Sequence, residues 1–382
     1  MTQELTIHFP GKLVFGRGSL GNLAGEVIQL SPRNVLLITI APLLGALKNL
    51  VNMLDSSQIA VRIDTSIVQE PSFADFEMLM KTASPFNPDV VLGIGGGSVL
   101  DVAKLVAAQL ENDQTLPDML GIGNLSGRRK KLICVPATSG TGSEVSPNAI
   151  LVDDADNQKK GIISPFLVPD IVYVDPLLTL SIPPAITAAT GIDALTHCLE
   201  AYTNRFAQPF IDLYAFEGMR LIAANIVQAV KNGADEEART QVAMGSLLGG
   251  FCLGPVNTAG VHALSYPLGS QFHLAHGLSN ALLLPYVMEF NTPAAVSRYA
   301  QVALALGCER GRDEAETAAN GVQKIKELNR ECGIPARLRD VGIPEKALPQ
   351  LADDALKITR LLKNNPREIT RADAIAIYTA AY

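Results

Sequence analysis

The most constraining feature of this chain is an apolar run that ends in a glycine turn and restarts as a helix: Asp89-Val-Val-Leu-Gly-Ile94, then Gly95-Gly96-Gly97, then Ser98-Val-Leu-Asp-Val-Ala-Lys104. An apolar run without alternating polar positions reads as a strand buried on both faces, which demands a parallel sheet covered by helices on each side. Residues 34–39, 61–68 and 131–135 read as further strands, with helical patterns such as 72–84 and 98–109 between them. An α/β, doubly wound parallel sheet follows. After 171–176 the strand signals stop, and Ser181-Ile-Pro-Pro184 makes a hard break. The remainder reads as helices, including 191–202, 209–231 and 236–253, separated by Gly/Pro turns. The expected organisation is an α/β domain over 1–180 and an all-helical domain over 181–382.

Composition narrows the function classes. In 382 residues, 48% are hydrophobic and only 18% charged, which excludes a disordered chain. The net charge of −7, without a Lys/Arg tract, argues against nucleic acid or an anionic membrane as partner. The run Arg128-Arg129-Lys130-Lys131 is expected to be a solvated lead-in to the strand after it. The most apolar stretch, 35–47, contains Pro42 and Gly45 and is shorter than the roughly 18 residues of a spanning helix. The N-terminus lacks the basic-then-apolar pattern of a signal peptide. Five widely spaced cysteines in apolar surroundings are expected to be reduced and buried, and the protein cytoplasmic.

Two loops carry phosphate- or sugar-binding chemistry. Glycines 95–97 let the backbone approach a bulky anion, and the helix that follows offers free N–H groups and the positive end of its dipole. Ser98 is placed to cap that helix. No Gly-Lys-Ser/Thr follows, so this is no Walker loop. Pro136-Ala-Thr-Ser-Gly-Thr-Gly-Ser-Glu144 is a second small, hydroxyl-rich loop after a strand. The strand before and the helix after the glycines favour a phosphate cradle over a tight structural turn, whereas the second loop, taken alone, reads equally as a Ser/Thr-rich turn.

Histidine usage is uneven: of five, only His8 lies outside 197–276. Asp193 and His197 stand four apart on a predicted helix, one turn apart on one face. His262 and His276 follow, with Pro267 and Gly269 expected to break any single helix between them. One carboxylate and three imidazoles suit Fe(II) or Zn(II), leave a residual charge of about +1, and would polarise a carbonyl or stabilise an alkoxide. No Lys or Arg occurs between Arg239 and Arg298, and Glu289 is the one acid there, so the cation would be little screened. A buried helix pair with incidental histidines is the bland alternative.

The chain resembles the iron-containing (group III) alcohol dehydrogenases along its length, through 95–104, 136–144, Leu180-Ser-Ile-Pro-Pro184, 189–202, His276-Gly-Leu-Ser-Asn-Ala281 and Asn365-Pro-Arg-Glu368. The resemblance implies a dehydroquinate-synthase-like fold with cofactor and substrate between the domains. It implies that Asp193, His197, His262 and His276 are the metal ligands. Gly96, Gly97, Ser98 and Asp101 would line the pyrophosphate, and Thr138, Thr141, Lys159 and Thr179 would make further cofactor contacts. Two departures matter. Ile40 stands where NAD-preferring relatives often carry an Asp, which leaves NAD or NADP open. Tyr266 stands where many relatives carry a His, so Tyr266 or His273 is the proton-relay candidate.

The expected function is reversible hydride transfer between NAD(P) and a small neutral alcohol or aldehyde, in a homo-oligomer. Same-fold alternatives are a maleylacetate-type reductase or a dehydroquinate-synthase-like lyase. Their anionic substrates want basic pocket residues, which the stretch 240–297 does not supply. An inactive binding protein is the third reading.

Overall fold

The computed structural model describes residues 4–156 and 158–382, which separate into two compact units. One comprises His8–Thr138 and Ser143–Thr179, the other Leu180–Tyr382 with Ser139–Gly142 and the segment ending at Ile7. Ser139–Gly142, which the sequence groups with the α/β half, packs with the helices because Gly140 lies against Thr190 and Gly142 against Gly250.

The α/β unit is built from β1 (Lys12–Phe15), β2 (Asn34–Ile38), β3 (Ala60–Asp64), β4 (Val90–Gly95), β5 (Gly121–Ile122), β6 (Lys131–Pro136), β7 (Asn148–Asp153), β8 (Gln158–Ile163) and β9 (Ile171–Val174). Its helices are α1 (Leu23–Gln29), α2 (Leu44–Ser56), α3 (Phe73–Phe86), α4 (Gly97–Gln109) and α5 (Leu116–Met119). A six-stranded parallel sheet runs in the order β1-β9-β6-β4-β2-β3. Strand periodicity sorts its side chains. Leu36, Ile38, Val91, Leu132 and Cys134 pack with α3 and α4 on one face. Val35, Leu37, Leu92, Ile133 and Val135 pack with α1 and α2 on the other. The edge strand β3 stops at Asp64 rather than continuing to Val68, which is exposed.

A small second sheet, β5-β8-β7, and the edge strand β1 were not foreseen. β8 opens with Gln158-Lys159-Lys160 and β1 with Lys12, so neither begins as an apolar run. Only half of the basic run is the solvated lead-in expected of it: Arg129 and Lys131 are exposed, whereas Arg128 and Lys130 are not. Arg128 pairs with Asp170 at 2.5 Å and Lys130 with Glu111 at 2.5 Å, both cations largely buried. Arg128 further donates to the carbonyls of Phe166 and Val168, tying the start of β6 to the lead-in of β9.

The helical unit contains α6 (Pro184–Thr203), α7 (Pro209–Lys231), α8 (Glu236–Leu253), α9 (Gly260–Phe272), α10 (His276–Asn291), α11 (Val296–Ala305), α12 (Glu314–Glu331), α13 (Leu348–Ala355), α14 (Thr359–Leu362) and α15 (Arg371–Ala380). Helix α6 is enclosed almost all round from Gly191 to Thr203, as its apolar composition requires. Contrary to the sequence expectation, α9 runs unbroken through Pro267 and Gly269 and ends at His273, in the left-handed region at φ 54°. Pro267 costs one intrahelical hydrogen bond, and its burial in the core offsets that cost. The cysteines are unpaired thiols; Cys134, Cys198, Cys252 and Cys332 are buried, whereas Cys308 is only half-buried. No helix among the described residues is long and apolar enough to cross a membrane.

Candidate metal centre and cofactor turn

Helices α6, α9 and α10 bring Asp193, His262 and His276 together, with one ligand atom from each lying within 4.8 Å of the others. The approach depends on Gly277, where a Cβ would fall 2.3 Å from the carbonyl oxygen of Ala189 on α6. Asp193 Oδ1 is the hub: it lies 3.5 Å from His262 Nε2, 3.8 Å from His276 Nε2 and 3.8 Å from His197 Nε2. His197 stands outside the mutually close trio, with its ring stacked on His262 at 4.8 Å. Metal–ligand bonds of about 2.1 Å in a tetrahedral arrangement put donor atoms about 3.4 Å apart. The donors therefore have the chemistry and nearly the spacing that a first-row divalent cation requires.

Burial pushes the Asp193 carboxyl up, but the imidazoles of His197, His276 and His262 outweigh it and hold the group far below the usual carboxylate range. Burial pushes His262 down, yet Glu200 and Asp193 overcome it and raise the imidazole to about 9. Burial keeps His197 below its ordinary value despite Asp193. The field that holds Asp193 ionised and favours positive charge on His262 also favours a bound cation.

Two residues that the sequence reading gave no role complete this centre. Glu200, buried and one turn beyond His197 on α6, faces His262 Nδ1 at 2.6 Å. Asn280, buried and one turn beyond His276, donates from Nδ2 to Asp193 Oδ1 at 2.6 Å and lies 3.1 Å from His262 Nε2. Helical spacing from each histidine was the signal available for both. With Glu200 counted, the formal charge of a divalent centre drops from about +1 to about zero. Of the four expected ligands, His276 alone is not buried, at 25% exposed, and the half-buried Tyr266 ring lies 5.7 Å from it. His273, by contrast, is exposed at the end of α9, three turns or about 16 Å along the helix from His262.

Motifs farther along the chain buttress these helices. Asn365 exchanges amide hydrogen bonds with Asn291 at the end of α10, and its side chain lies against Gly260, the first residue of α9. Arg367 donates to the Phe290 carbonyl and covers that ring.

In the α/β unit, the chain leaves β2 for β3 and returns to β4 on the other side of β2, so the carboxyl ends of β2 and β4 form a topological switch point. Thr39 and the glycine turn sit there, and the Thr39 hydroxyl donates to the Ile94 carbonyl at 2.7 Å. Ile40 follows, half-buried. Helix α4 begins at Gly97 with Gly96 as N-cap and no side-chain cap. Ser98 is thus inside the first turn rather than the cap expected. The glycines divide their work. A Cβ at Gly95 would fall 2.8 Å from Val99 Cβ, so Gly95 serves strand–helix packing, whereas Gly96 meets only Thr138, at an ordinary 3.6 Å. An uncapped N-terminus beside a small hydroxyl residue is the cradle that a pyrophosphate needs.

The remaining candidates separate. Asp101 accepts from the Ser143 hydroxyl at 2.5 Å and the Ile150 N–H at 2.9 Å, so its carboxylate braces the second loop. Thr179 donates to the Pro176 carbonyl within its own turn. Lys159 lies on β8 rather than in a loop, paired with Glu70 at 2.5 Å. Thr138 belongs to the α/β unit and Thr141 to the helical one.

Residues 10–176 match the family model for iron-containing alcohol dehydrogenase, and residues 187–382 match that for the C-terminal part of the Fe-containing alcohol dehydrogenase family. Long-chain-alcohol dehydrogenase 1 of Geobacillus thermodenitrificans is 40% identical over 98% of this chain and 96% of its own length. The crystal structure of a 1,3-propanediol oxidoreductase superposes with a TM-score of 0.95 at 31% identity, covering all of both chains. Sulfoacetaldehyde reductase from Bifidobacterium kashiwanohense, solved in complex with NAD+, gives a TM-score of 0.88 at 26% identity over 99% of each chain.

Proposed function

This chain belongs to the iron-containing alcohol dehydrogenase family, and from that premise we propose that it transfers a hydride reversibly between a nicotinamide cofactor and an uncharged alcohol or aldehyde. It is an alcohol/aldehyde oxidoreductase of the iron-containing type; the cofactor, the ligand set and the substrate range are the proposed part. The observation that carries the reading is Asp193 Oδ1 within 3.5–3.8 Å of three imidazole Nε2 atoms.

In this reading Asp193, His197, His262 and His276 hold Fe(II), with Zn(II) as the alternative occupant. A divalent ion so held supplies Lewis acidity to the substrate oxygen. The chain does the rest. Gly96, Gly97 and Ser98 hold the pyrophosphate through backbone N–H groups at the start of α4, with Thr138 beside them. Asp101 takes part by bracing the loop that follows, not by touching the anion, which it would repel. Tyr266, whose ring lies 5.7 Å from that of His276, is the group to which we assign passing on the alcohol proton; the exposed position of His273 at the far end of α9 supports Tyr266 over it. The stretch 240–297, without Lys or Arg, supplies no cation to pair with an anionic substrate. The NAD+ complex of the sulfoacetaldehyde reductase supports a nicotinamide cofactor. Ile40 removes the carboxylate that would repel a 2′-phosphate, so NADP is accepted alongside NAD.

The test is a panel of primary alcohols of increasing chain length, diols and hydroxy acids, assayed with NAD and NADP after anaerobic loading with Fe(II) or Zn(II). Reduction with neutral alcohols and little with hydroxy acids is expected. No reduction anywhere, or a preference for the acids, overturns the substrate assignment.

A further inference from the structure

We propose that Glu200 is a positioning residue of the metal centre: one carboxylate caps helix α9 from outside and fixes the His262 ring so that Nε2 is its ligating atom. The inference rests on the metal-centre reading above. Its first support is an unusual helix start. The N-cap of α9 is Ala259, which has no side chain able to cap, yet α9 begins in the buried interior. First-turn N–H groups there need an acceptor. Glu200 supplies it: Oε1 accepts from the Val261 N–H at 2.6 Å and Oε2 from the Ala259 N–H at 2.9 Å.

The second support is that the same Oε2 faces His262 Nδ1 at 2.6 Å. An ionised carboxylate only accepts, so Nδ1 must carry the proton, and the Nε2 lone pair is left for the side where Asp193 lies at 3.5 Å. A carboxylate behind a ligating imidazole orients the ring and raises its basicity. The third support is helical arithmetic. Asp193, His197 and Glu200 stand at i, i+4 and i+7 on α6, so one helix face presents two ligands and the group that orients a third.

The geometry makes a sharp demand on residue 200. Gln has the same shape but only one accepting oxygen. Turned one way, its NH2 meets the Val261 N–H; turned the other, it meets the Ala259 N–H and donates to His262 Nδ1, which moves the ring proton to Nε2 and blocks ligation.

The experiment uses the full-length chain, stripped of metal and titrated with Zn(II) and Co(II) against a chromophoric chelator. Glu200→Gln is expected to weaken binding about 10- to 100-fold and to shift the visible bands of the Co(II) form. In the His262→Ala background the same change should add nothing beyond about twofold, because Glu200 acts through that ring. Wild-type affinity and spectrum in Glu200→Gln, with metal binding weakened but still measurable in His262→Ala, overturns the role of Glu200 alone. Wild-type metal binding in His262→Ala overturns the metal-centre reading and this inference with it. Should Glu200→Gln not fold, as judged by circular dichroism, the wild-type Zn(II) form decides by histidine nitrogen NMR. A proton on His262 Nδ1 is expected, and a proton on Nε2 overturns the proposal.

Discussion

The glycine turn at the end of β4 makes its site by withholding side chains, whereas the metal centre makes its site by burying charged ones. At the turn, backbone N–H groups and a helix end would do the binding we propose, and the sequence need only keep the approach clear. In the centre, Asp193 and Glu200 are both buried with three histidines nearby, an arrangement that is costly unless every charge is paired and held. A backbone site therefore needs little behind it. A side-chain site needs a supporting layer, here Glu200, Asn280 and the Asn291–Asn365 pair.

The contrast breaks most sharply at Asp193, because every imidazole of the centre faces its Oδ1. Asp193→Asn substitutes a neutral amide and places an NH2 group among atoms that must accept. We expect loss of bound metal and a fall in kcat of about a thousandfold or more, the several kcal/mol that a Lewis acid contributes, with the fold retained. Metal analysis and steady-state kinetics check it. A variant that keeps a full complement of metal would show that Asp193 is not the hub.

The other side of the contrast is sharpened by two adjacent glycines. Gly95→Ala drives a methyl group to 2.8 Å from Val99 Cβ and should destabilise the α/β unit by about 1–3 kcal/mol. Gly96→Ala meets Thr138 at 3.6 Å, with φ of −75°, and should leave stability within about 0.5 kcal/mol while raising the KM for the nicotinamide cofactor. Thermal melts and cofactor titrations separate the two. Equal effects of both variants on both readouts would mean that the division of labour within the turn is wrong.

How much of this was legible follows from the same contrast. The parallel sheet could be read because β2, β4 and β6 are apolar on both faces, and the turn because glycine is informative wherever backbones crowd. Asp193, His197, His262 and His276 could be named because such residues are rare in an apolar stretch. What could not be read was support at a distance. Glu200 is one carboxylate among many until α9 arrives with no cap of its own. Asp101 looks like a phosphate neighbour until β7 arrives and takes its oxygen. Pro267 and Gly269 suggested a break because local propensity omits the core that holds α9 straight. β8 was hidden because it opens on Gln158 and two lysines, and the partner of Lys159, Glu70, lies far away in the chain where a linear pattern does not reveal it.

The smallest effect tests whether the α/β unit also conceals a charge of its own. Glu144, at the end of the hydroxyl-rich loop, is 3% exposed, and burial pushes its carboxyl up to about 7 against the pull of its own backbone N–H and of buried Lys104. Lys104 in turn donates to the carbonyls of Ser146 and Asn148, so the ammonium is occupied in holding the loop down. A carboxyl whose folded pKa exceeds its unfolded value of 4.5 binds more protons in the native state between those two values. Stability from this group is thus fully present below about pH 4.5 and is lost as pH rises toward about 7. Carboxylates held low by ion pairs, such as Asp170, act in the opposite sense but titrate at lower pH. The difference in Tm between the wild type and Glu144→Gln, followed from pH 4.5 to pH 7.5, isolates the Glu144 contribution. Relative to the variant, the wild type should lose a few degrees over that interval, on the order of 2 °C per kcal/mol. A constant difference would mean that Glu144 is already ionised and paired at acidic pH, and that the α/β unit, like the metal centre, meets the cost of a buried charge with a partner rather than a proton.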